Sequence, residues 1–192
     1  HHYRRGMKME KIRFGVIGVG GIGRTHIDAI RKTAGAELSA ISDVNEDVVK
    51  KTAGEFKVKW FMDYREMLEK GDVDAVNVCT PHFLHAPITI DALRAGKHVL
   101  CEKPMANHVG EADEMISAAR KEGLKLGVVA DGIVEPNFKK VKELFDRGEL
   151  GQVYRAEVLQ AGMRTQPYYQ RAMWRGTWKE EGGACMINQA IH

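Results

Sequence analysis

Residues 12–23 read Ile-Arg-Phe-Gly-Val-Ile-Gly-Val-Gly-Gly-Ile-Gly. An apolar run of strand length passes directly into Gly18-Val19-Gly20-Gly21-Ile22-Gly23, a G-x-G-x-x-G, and a helical pattern carrying Ile27, Ile30 and Ala34 follows at once. The glycines answer steric demands. Gly18 permits a tight turn, Gly20 lets the main chain approach a diphosphate, and Gly23 lets helix pack on strand, which leaves a positive helix end aimed at the phosphates. Gly21 and Ile22 complete this candidate cofactor loop. The spacing alone is weak, because glycines also occupy tight turns with no ligand nearby. A strand before, a helix after and an acid following the second strand point to dinucleotide binding. That acid is Asp43, twenty-five positions after Gly18, where about 20 is usual. A carboxylate there accepts hydrogen bonds from both ribose hydroxyls and repels a 2′-phosphate, so NAD is expected over NADP. The competing reading has Asp43 capping a helix over Glu46–Ala53.

Working outward, short apolar runs at Ile12–Ile17, Leu38–Ile41, Ala75–Cys79, Val99–Cys101 and Leu126–Val129 are continuous enough to be strands buried on both faces. Helical periods lie between them: Leu84, Ile88, Ala92 and Ala95, then Ala112, Met115, Ile116 and Ala119. This alternation predicts parallel crossover units and a doubly wound α/β sheet over residues 11–130. Asp63 with Glu66 reads as a capping box, and Gly96 as a helix stop. Beyond 130 the pattern changes. Asn137–Arg147 is helical with Phe138, Val141 and Phe145 on one side and Gly148 ending it; Val153–Gln160 alternates like an exposed strand; 161–183 has no clear period. Residues 131–192 are therefore expected to begin a second domain that the chain leaves incomplete, and residues 1–10 to be a tag remnant and lead.

The chain has 192 residues, 44% hydrophobic and 29% charged, with a net charge of +3. This is a globular composition, and so small an excess of positive charge suggests no nucleic-acid partner. Three separated cysteines without a C-x-x-C pair fit a reducing, cytoplasmic compartment. No run approaches the ~18 apolar residues of a membrane span, so no membrane partner is expected. Arg4-Arg5 precedes an apolar stretch, but five glycines in it and the lack of a small-residue cleavage site argue against an export signal.

Two further clusters fall at strand ends, where open α/β sheets bind their ligands. In Cys79-Thr80-Pro81-His82-Phe83-Leu84-His85, Thr80, Pro81, His82 and His85 are candidate cofactor contacts. The bland alternative makes the histidines local hydrogen-bonders, and the His82/His85 spacing is a poor metal site because no Cys or carboxylate lies close in sequence. In Cys101-Glu102-Lys103-Pro104, Glu102 is a candidate cofactor contact, and Lys103 could orient a substrate hydroxyl and share its proton; the alternative is a surface Glu102–Lys103 pair. Arg164, Tyr168, Tyr169, Arg171, Trp174, Arg175 and Trp178 read as sugar-facing or interface residues, a nucleic-acid stacking surface being the competing use of such side chains.

Gly18–Gly23, Thr80-Pro81, the run Ala95-Gly96-Lys97-His98-Val99-Leu100-Cys101-Glu102-Lys103-Pro104 and Gly182-Gly183 with Asn188-Gln189-Ala190-Ile191-His192 together resemble the Gfo/Idh/MocA family of NAD(P)-dependent sugar and polyol dehydrogenases. The resemblance covers nearly the whole chain. It implies a Rossmann domain followed by an α+β domain whose open mixed sheet carries the substrate and joins subunits into a homo-oligomer. It also implies a catalytic Lys103 beside a cis proline bond and an acid/base His192. The residue four before that histidine is often aspartate in polyol members; here it is Asn188, which positions a hydroxyl but carries no charge. Residues Ala130–Pro136 also depart from an arginine-rich stretch that many members have. The implied activity is hydride transfer between NAD and a secondary hydroxyl of a sugar, polyol or related small molecule. Alternatives on the same site are a glycosidase that oxidises its substrate transiently through held NAD, and a non-catalytic cofactor-sensing protein.

Overall fold

The computed structural model describes residues 10–157, 159, 161–183 and 185–191. Six strands, β1 (Ile12–Ile17), β2 (Ala36–Ser42), β3 (Lys59–Phe61), β4 (Ala75–Val78), β5 (His98–Cys101) and β6 (Leu126–Val128), form one sheet in the order β3-β2-β1-β4-β5-β6. Every pairing is parallel. Helices α1 (Gly21–Lys32), α2 (Glu46–Phe56), α3 (Tyr64–Lys70), α4 (His85–Arg94) and α5 (Val109–Glu122) connect them.

Two apolar layers explain the winding. Val16 and Ile41 face Ile27 and Ile30 of α1 and Val49 and Ala53 of α2. Their neighbours Ile17 and Ala40 point the other way and meet Met67 of α3, Ile88 and Leu93 of α4, and Met115 of α5. Alternate residues of one strand thus feed opposite cores, the requirement behind near-continuous Val and Ile runs. Each fully buried aliphatic side chain contributes ~1.5–3 kcal/mol.

The helix boundaries follow local chemistry. Asn45, not Asp43, caps α2, its side chain accepting from Val48 N at 3.1 Å. Asp63 caps α3 through Arg65 N, while Glu66 pairs with Lys70 at 2.9 Å instead of closing a capping box. Gly96 follows α4 with φ +77, a conformation glycine adopts without Cβ strain.

Beyond the sheet lie α6 (Asp131–Val134), α7 (Pro136–Asp146), α8 (Gln166–Gln170) and α9 (Trp178–Glu181), then a π-helical turn over Cys185–Gln189 closed by Ala190 N to Cys185 O at 2.9 Å. The strand expected at Val153–Gln160 is not formed over its described residues, 153–157 and 159. A strand exists only when a neighbouring backbone completes its hydrogen bonds, and alternation cannot supply that neighbour. β3 went the other way: three residues, largely exposed, too short to register as a pattern.

The loop into α1 is fixed by close backbone contact. A Cβ on Gly23 would overlap the Gly18 carbonyl, whereas one on Gly20 would meet nothing within 4 Å. Gly23→Ala is expected to cost about 1–3 kcal/mol, lowering the melting midpoint by ~3–10 °C, whereas Gly20→Ala should stay within ~1 kcal/mol; differential scanning fluorimetry compares the two.

At the opposite rim, Arg13 donates to Asp74 through its backbone N, Nε and Nη2 at 2.9, 3.0 and 2.7 Å and also pairs with Asp72, clamping β1 to the start of β4. The Arg13 hydrogen bond, outweighing partial burial, holds the Asp74 carboxyl down to about 2. A carboxyl depressed in the fold stabilises above its unfolded value of ~3.9 and loses that contribution as pH falls toward the folded value. Asp74→Asn should therefore be less stable at neutral pH and decline less between pH 4 and 2 in urea denaturation, by an amount reduced by solvent screening at this half-exposed pair.

Candidate active site

The strand register builds the site. Ile17 lies abreast of Ser42 and of Val78, Val78 abreast of Cys101, and Cys101 abreast of Val128. The next residues therefore leave the sheet along one rim: Gly18, Asp43, Cys79, Glu102 and Val129. Backbone bonds extend the ladder by one rung there, Gly18 N to Ser42 O and Cys79 N to Ile17 O at 2.8 Å, Glu102 N to Val78 O at 2.9 Å. The chain winds outward both ways from the β1/β4 boundary, which makes it the switch point where such sheets bind ligands.

At that point Gly18 has φ +87, and a Cβ would sit 2.8 Å from Cys79 O and 3.1 Å from Thr80 N. Only glycine lets β1 turn so close to β4. Helix α1 then begins at Gly21 with no side-chain cap and no acid in its first turn, and Gly20 and Gly21 face open space. By contrast α2 and α3 carry both caps and acids. The free first-turn amides and the open face fit a diphosphate. Asp43 anchors this loop: Oδ2 accepts from Val19 N and Oδ1 from Asn45 N, each at 2.9 Å. A carboxylate has about four lone-pair sites, so two remain for ribose hydroxyls. The residues present thus fit a dinucleotide.

Thr80 and Pro81 lead into a 3₁₀ turn over His82–Leu84. The Thr80 hydroxyl is buried with no hydrogen-bond partner among the described residues, a polar atom available beside the glycine loop. His82 donates from Nδ1 to Glu181 O at 3.0 Å, its ring 4.7 Å from that of Trp174. His85 is fully buried, with Nδ1 2.7 Å from Pro104 O and Nε2 2.8 Å from Thr80 O. Burial pushes both imidazoles below the ordinary histidine range, against the pull of these carbonyls. His85 thereby ties the β4 turn to the β5 turn, and His82 ties the β4 turn to α9.

Glu102 is buried, so the surface-pair reading fails. Its Oε1 lies 2.8 Å from His26 Nε2, its Oε2 accepts from Lys103 N at 3.1 Å, and His26 Nδ1 is 2.8 Å from Asn77 Nδ2. Burial works against the carboxylate's charge, but His26 and the Lys103 peptide and ammonium outweigh it and keep the Glu102 pKa below its ordinary value. His26 escaped sequence reading although Gly23, His26, Ile27 and Ile30 occupy successive slots of the buried stripe of α1; a polar residue in such a slot was the available signal.

Lys103 precedes a cis peptide bond to Pro104. Its Nζ donates to both the backbone O and the Oδ1 of Asn188, each at 2.9 Å, which joins two candidates 85 positions apart. It also lines a cleft of 720 Å³ with Val129, Ala130, Phe138, Lys139 and Ile191. In the aromatic and basic stretch, Tyr168 is the hub: Arg175 lies 4.4 Å over its ring, Gln189 Nε2 donates to its hydroxyl at 3.2 Å, and Arg164 donates to Gln189 Oε1 at 2.5 Å. His192 lies outside the described residues.

Known proteins share this fold. Residues 12–130 match the oxidoreductase family, NAD-binding Rossmann fold, and residues 138–192 match the GFO/IDH/MocA C-terminal domain. The WlbA dehydrogenase of Bordetella pertussis, solved with NADH and UDP-GlcNAcA, is 35% identical with a TM-score of 0.91, over 96% of this chain and 55% of that one. The scyllo-inositol dehydrogenase of Lactobacillus casei, solved with NAD(H) and scyllo-inositol, is 28% identical with a TM-score of 0.71, over 74% of this chain and 43% of that one. Myo-inositol 2-dehydrogenase of Thermotoga maritima is 37% identical over 142 residues, 73% of this chain and 42% of that protein. The chain spans about half the length of these relatives. It belongs to the Gfo/Idh/MocA oxidoreductase family, with residues 12–130 as its NAD-binding Rossmann domain.

Proposed function

We propose that the protein carrying this chain oxidises a secondary hydroxyl of a sugar borne on a nucleotide diphosphate, with NAD as cofactor. The observation that carries the reaction is the Lys103 ammonium, fixed by Asn188 at the rim of the cleft one residue beyond the row of strand ends. NAD, when bound, supplies the hydride-accepting carbon. The first-turn amides of α1 with Gly18, Gly20, Gly21, Ile22 and Gly23 would hold its diphosphate, and Asp43 its ribose, disfavouring a 2′-phosphate. Thr80 and Pro81 would line the nicotinamide side, while His82, His85 and Glu102 hold the walls. Lys103 would donate to the substrate oxygen and favour loss of its proton, Asn188 would keep that ammonium in place, and His192 would take the proton.

Two observations support a nucleotide-borne sugar over an inositol. The similarity to the dehydrogenase solved with UDP-GlcNAcA runs through 96% of the chain, and that to the scyllo-inositol enzyme through 74%. Asn188 also stands where polyol members often carry aspartate.

The complete protein, assayed for NADH formation against UDP-linked sugars, scyllo-inositol and myo-inositol, is expected to favour a UDP-linked sugar at least ~10-fold in kcat/KM, a difference of ~1.4 kcal/mol. Lys103→Met should lower kcat ~10²-fold or more while NADH affinity stays within a few-fold. Preference for an inositol would reject the nucleotide-sugar substrate. Sugar release without net NADH would assign the glycosidase reaction instead.

A further inference from the structure

We infer that Glu181 is a positioning residue of this site, a buried carboxylate that acts through Asn188 to fix the direction and charge of the Lys103 side chain. The inference rests on the reading of Lys103 given above.

Glu181 ends the short helix α9 and is 1% exposed. A buried carboxylate is costly unless its oxygens are met by strong donors. Here Oε1 accepts from Asn188 Nδ2 at 2.6 Å and Oε2 from the Gly176 peptide N–H. Both donors are neutral. An apolar side chain would fill the same volume more cheaply, so the charge needs an explanation beyond packing.

Its surroundings hold the carboxylate still. Asn107 Nδ2 donates to Glu180 O at 3.3 Å and His82 Nδ1 to Glu181 O at 3.0 Å, pinning the backbone of α9 to the first domain. Gly182 and Gly183, with φ of +82 and +126, then reverse the chain and return the π-helical turn across the carboxylate.

The geometry assigns the amide of Asn188 without ambiguity. An ionised carboxylate only accepts hydrogen bonds and an ammonium only donates them. Between the two, Asn188 has one allowed orientation, NH₂ toward Glu181 and Oδ1 toward Lys103. Replace the carboxylate by an amide and the chain conflicts: a glutamine that accepts from the Gly176 N–H turns its NH₂ toward the Asn188 NH₂, and Asn188 relieves this only by turning its own NH₂ toward the Lys103 ammonium. The negative charge is also transmitted. Standing one side chain behind Asn188 in a poorly hydrated region, it favours the charged form of Lys103. Asn188 cannot carry charge itself, and Glu181 supplies it from behind.

Other charged or titratable groups face this chain. Glu102 adjoins Lys103 on its own segment, His82 and His85 approach from the β4 turn, and Arg175 lies over Tyr168, whose hydroxyl is 3.4 Å from Asn188 Nδ2. A change confined to Glu181 leaves all of them in place.

The test compares wild type, Glu181→Gln, and the double variant Glu181→Gln/Asn188→Asp in the complete protein. In the double variant the charge moves one position closer while each hydrogen bond keeps a donor and an acceptor. Lys103 ionisation is followed by NMR of ¹³Cε-labelled lysine, NADH affinity by fluorescence, and kcat against pH with a UDP-linked sugar. Glu181→Gln should lower the Lys103 titration midpoint by ~0.5–1 unit and kcat ~10-fold, with NADH affinity within about 3-fold; the double variant should restore most of both. An unmoved Lys103 midpoint in Glu181→Gln, or a double variant that recovers nothing, would overturn the inference and leave Glu181 as packing. If Glu181→Gln does not fold, Glu181→Leu, which fills the same buried volume without charge, decides by a lowered Lys103 midpoint, and an unmoved midpoint overturns the inference. The NMR arm needs no substrate, so a failed sugar assay with a shifted midpoint rejects the reaction proposed above and leaves this inference standing.

Discussion

The organisation of the site depends on one steric fact: the main chain at Gly18 lies against the carbonyl of Cys79, and the helix starting at Gly21 lies against the carbonyl of Gly18. A side chain at either contact would hold α1 away from the sheet. With hydrogen in both places, the helix begins within a few ångströms of the β1/β4 boundary, and its unpaired amides point over the rim where β2, β4 and β5 also deliver residues. Asp43 reinforces this by accepting from Val19 N, so the same side chain that suits the ribose also shapes the bed for the diphosphate.

Behind that rim stand two polar chains that converge on Lys103. One runs from Asn77 through His26 and Glu102 to the Lys103 peptide; the other runs from Gly176 through Glu181 and Asn188 to the Lys103 ammonium. The first fixes where the residue starts, the second where it ends. Both place a carboxylate in a buried position with every oxygen met by a donor, which is the condition under which buried charge rigidifies a structure instead of weakening it.

The sheet was legible because runs rich in Val, Ile, Leu and Ala leave a nearly continuous apolar signature at β1, β2, β4, β5 and β6, and because Gly18–Gly23 sits between a clear strand and a clear helix. β3 was not, since three residues, two of them exposed, carry no period. The opposite failure occurred over the described residues of 153–160, where alternation suggested a strand without any means of naming its partner. Among site residues, Lys103 and Asn188 were identified and prove to touch. His26 and Glu181 were not: His26 stands in the buried stripe of α1 but its partner Glu102 lies 76 positions away, and Glu181 lies in a stretch without a clear period that would show it buried against Asn188. His82 and His85 were noticed for their chemistry, while the structure spends Nδ1 of His82 and both ring nitrogens of His85 on backbone carbonyls.

The glycine loop offers peptide atoms, which every sequence possesses, whereas Asp43 offers a side chain that also holds the Val19 amide of that loop. Grip and discrimination therefore meet at Asp43. A substitution at 43 that retuned the coenzyme would also release the Val19 amide, so drift in coenzyme preference among descendants of this scaffold is tied to the shape of the bend that precedes it.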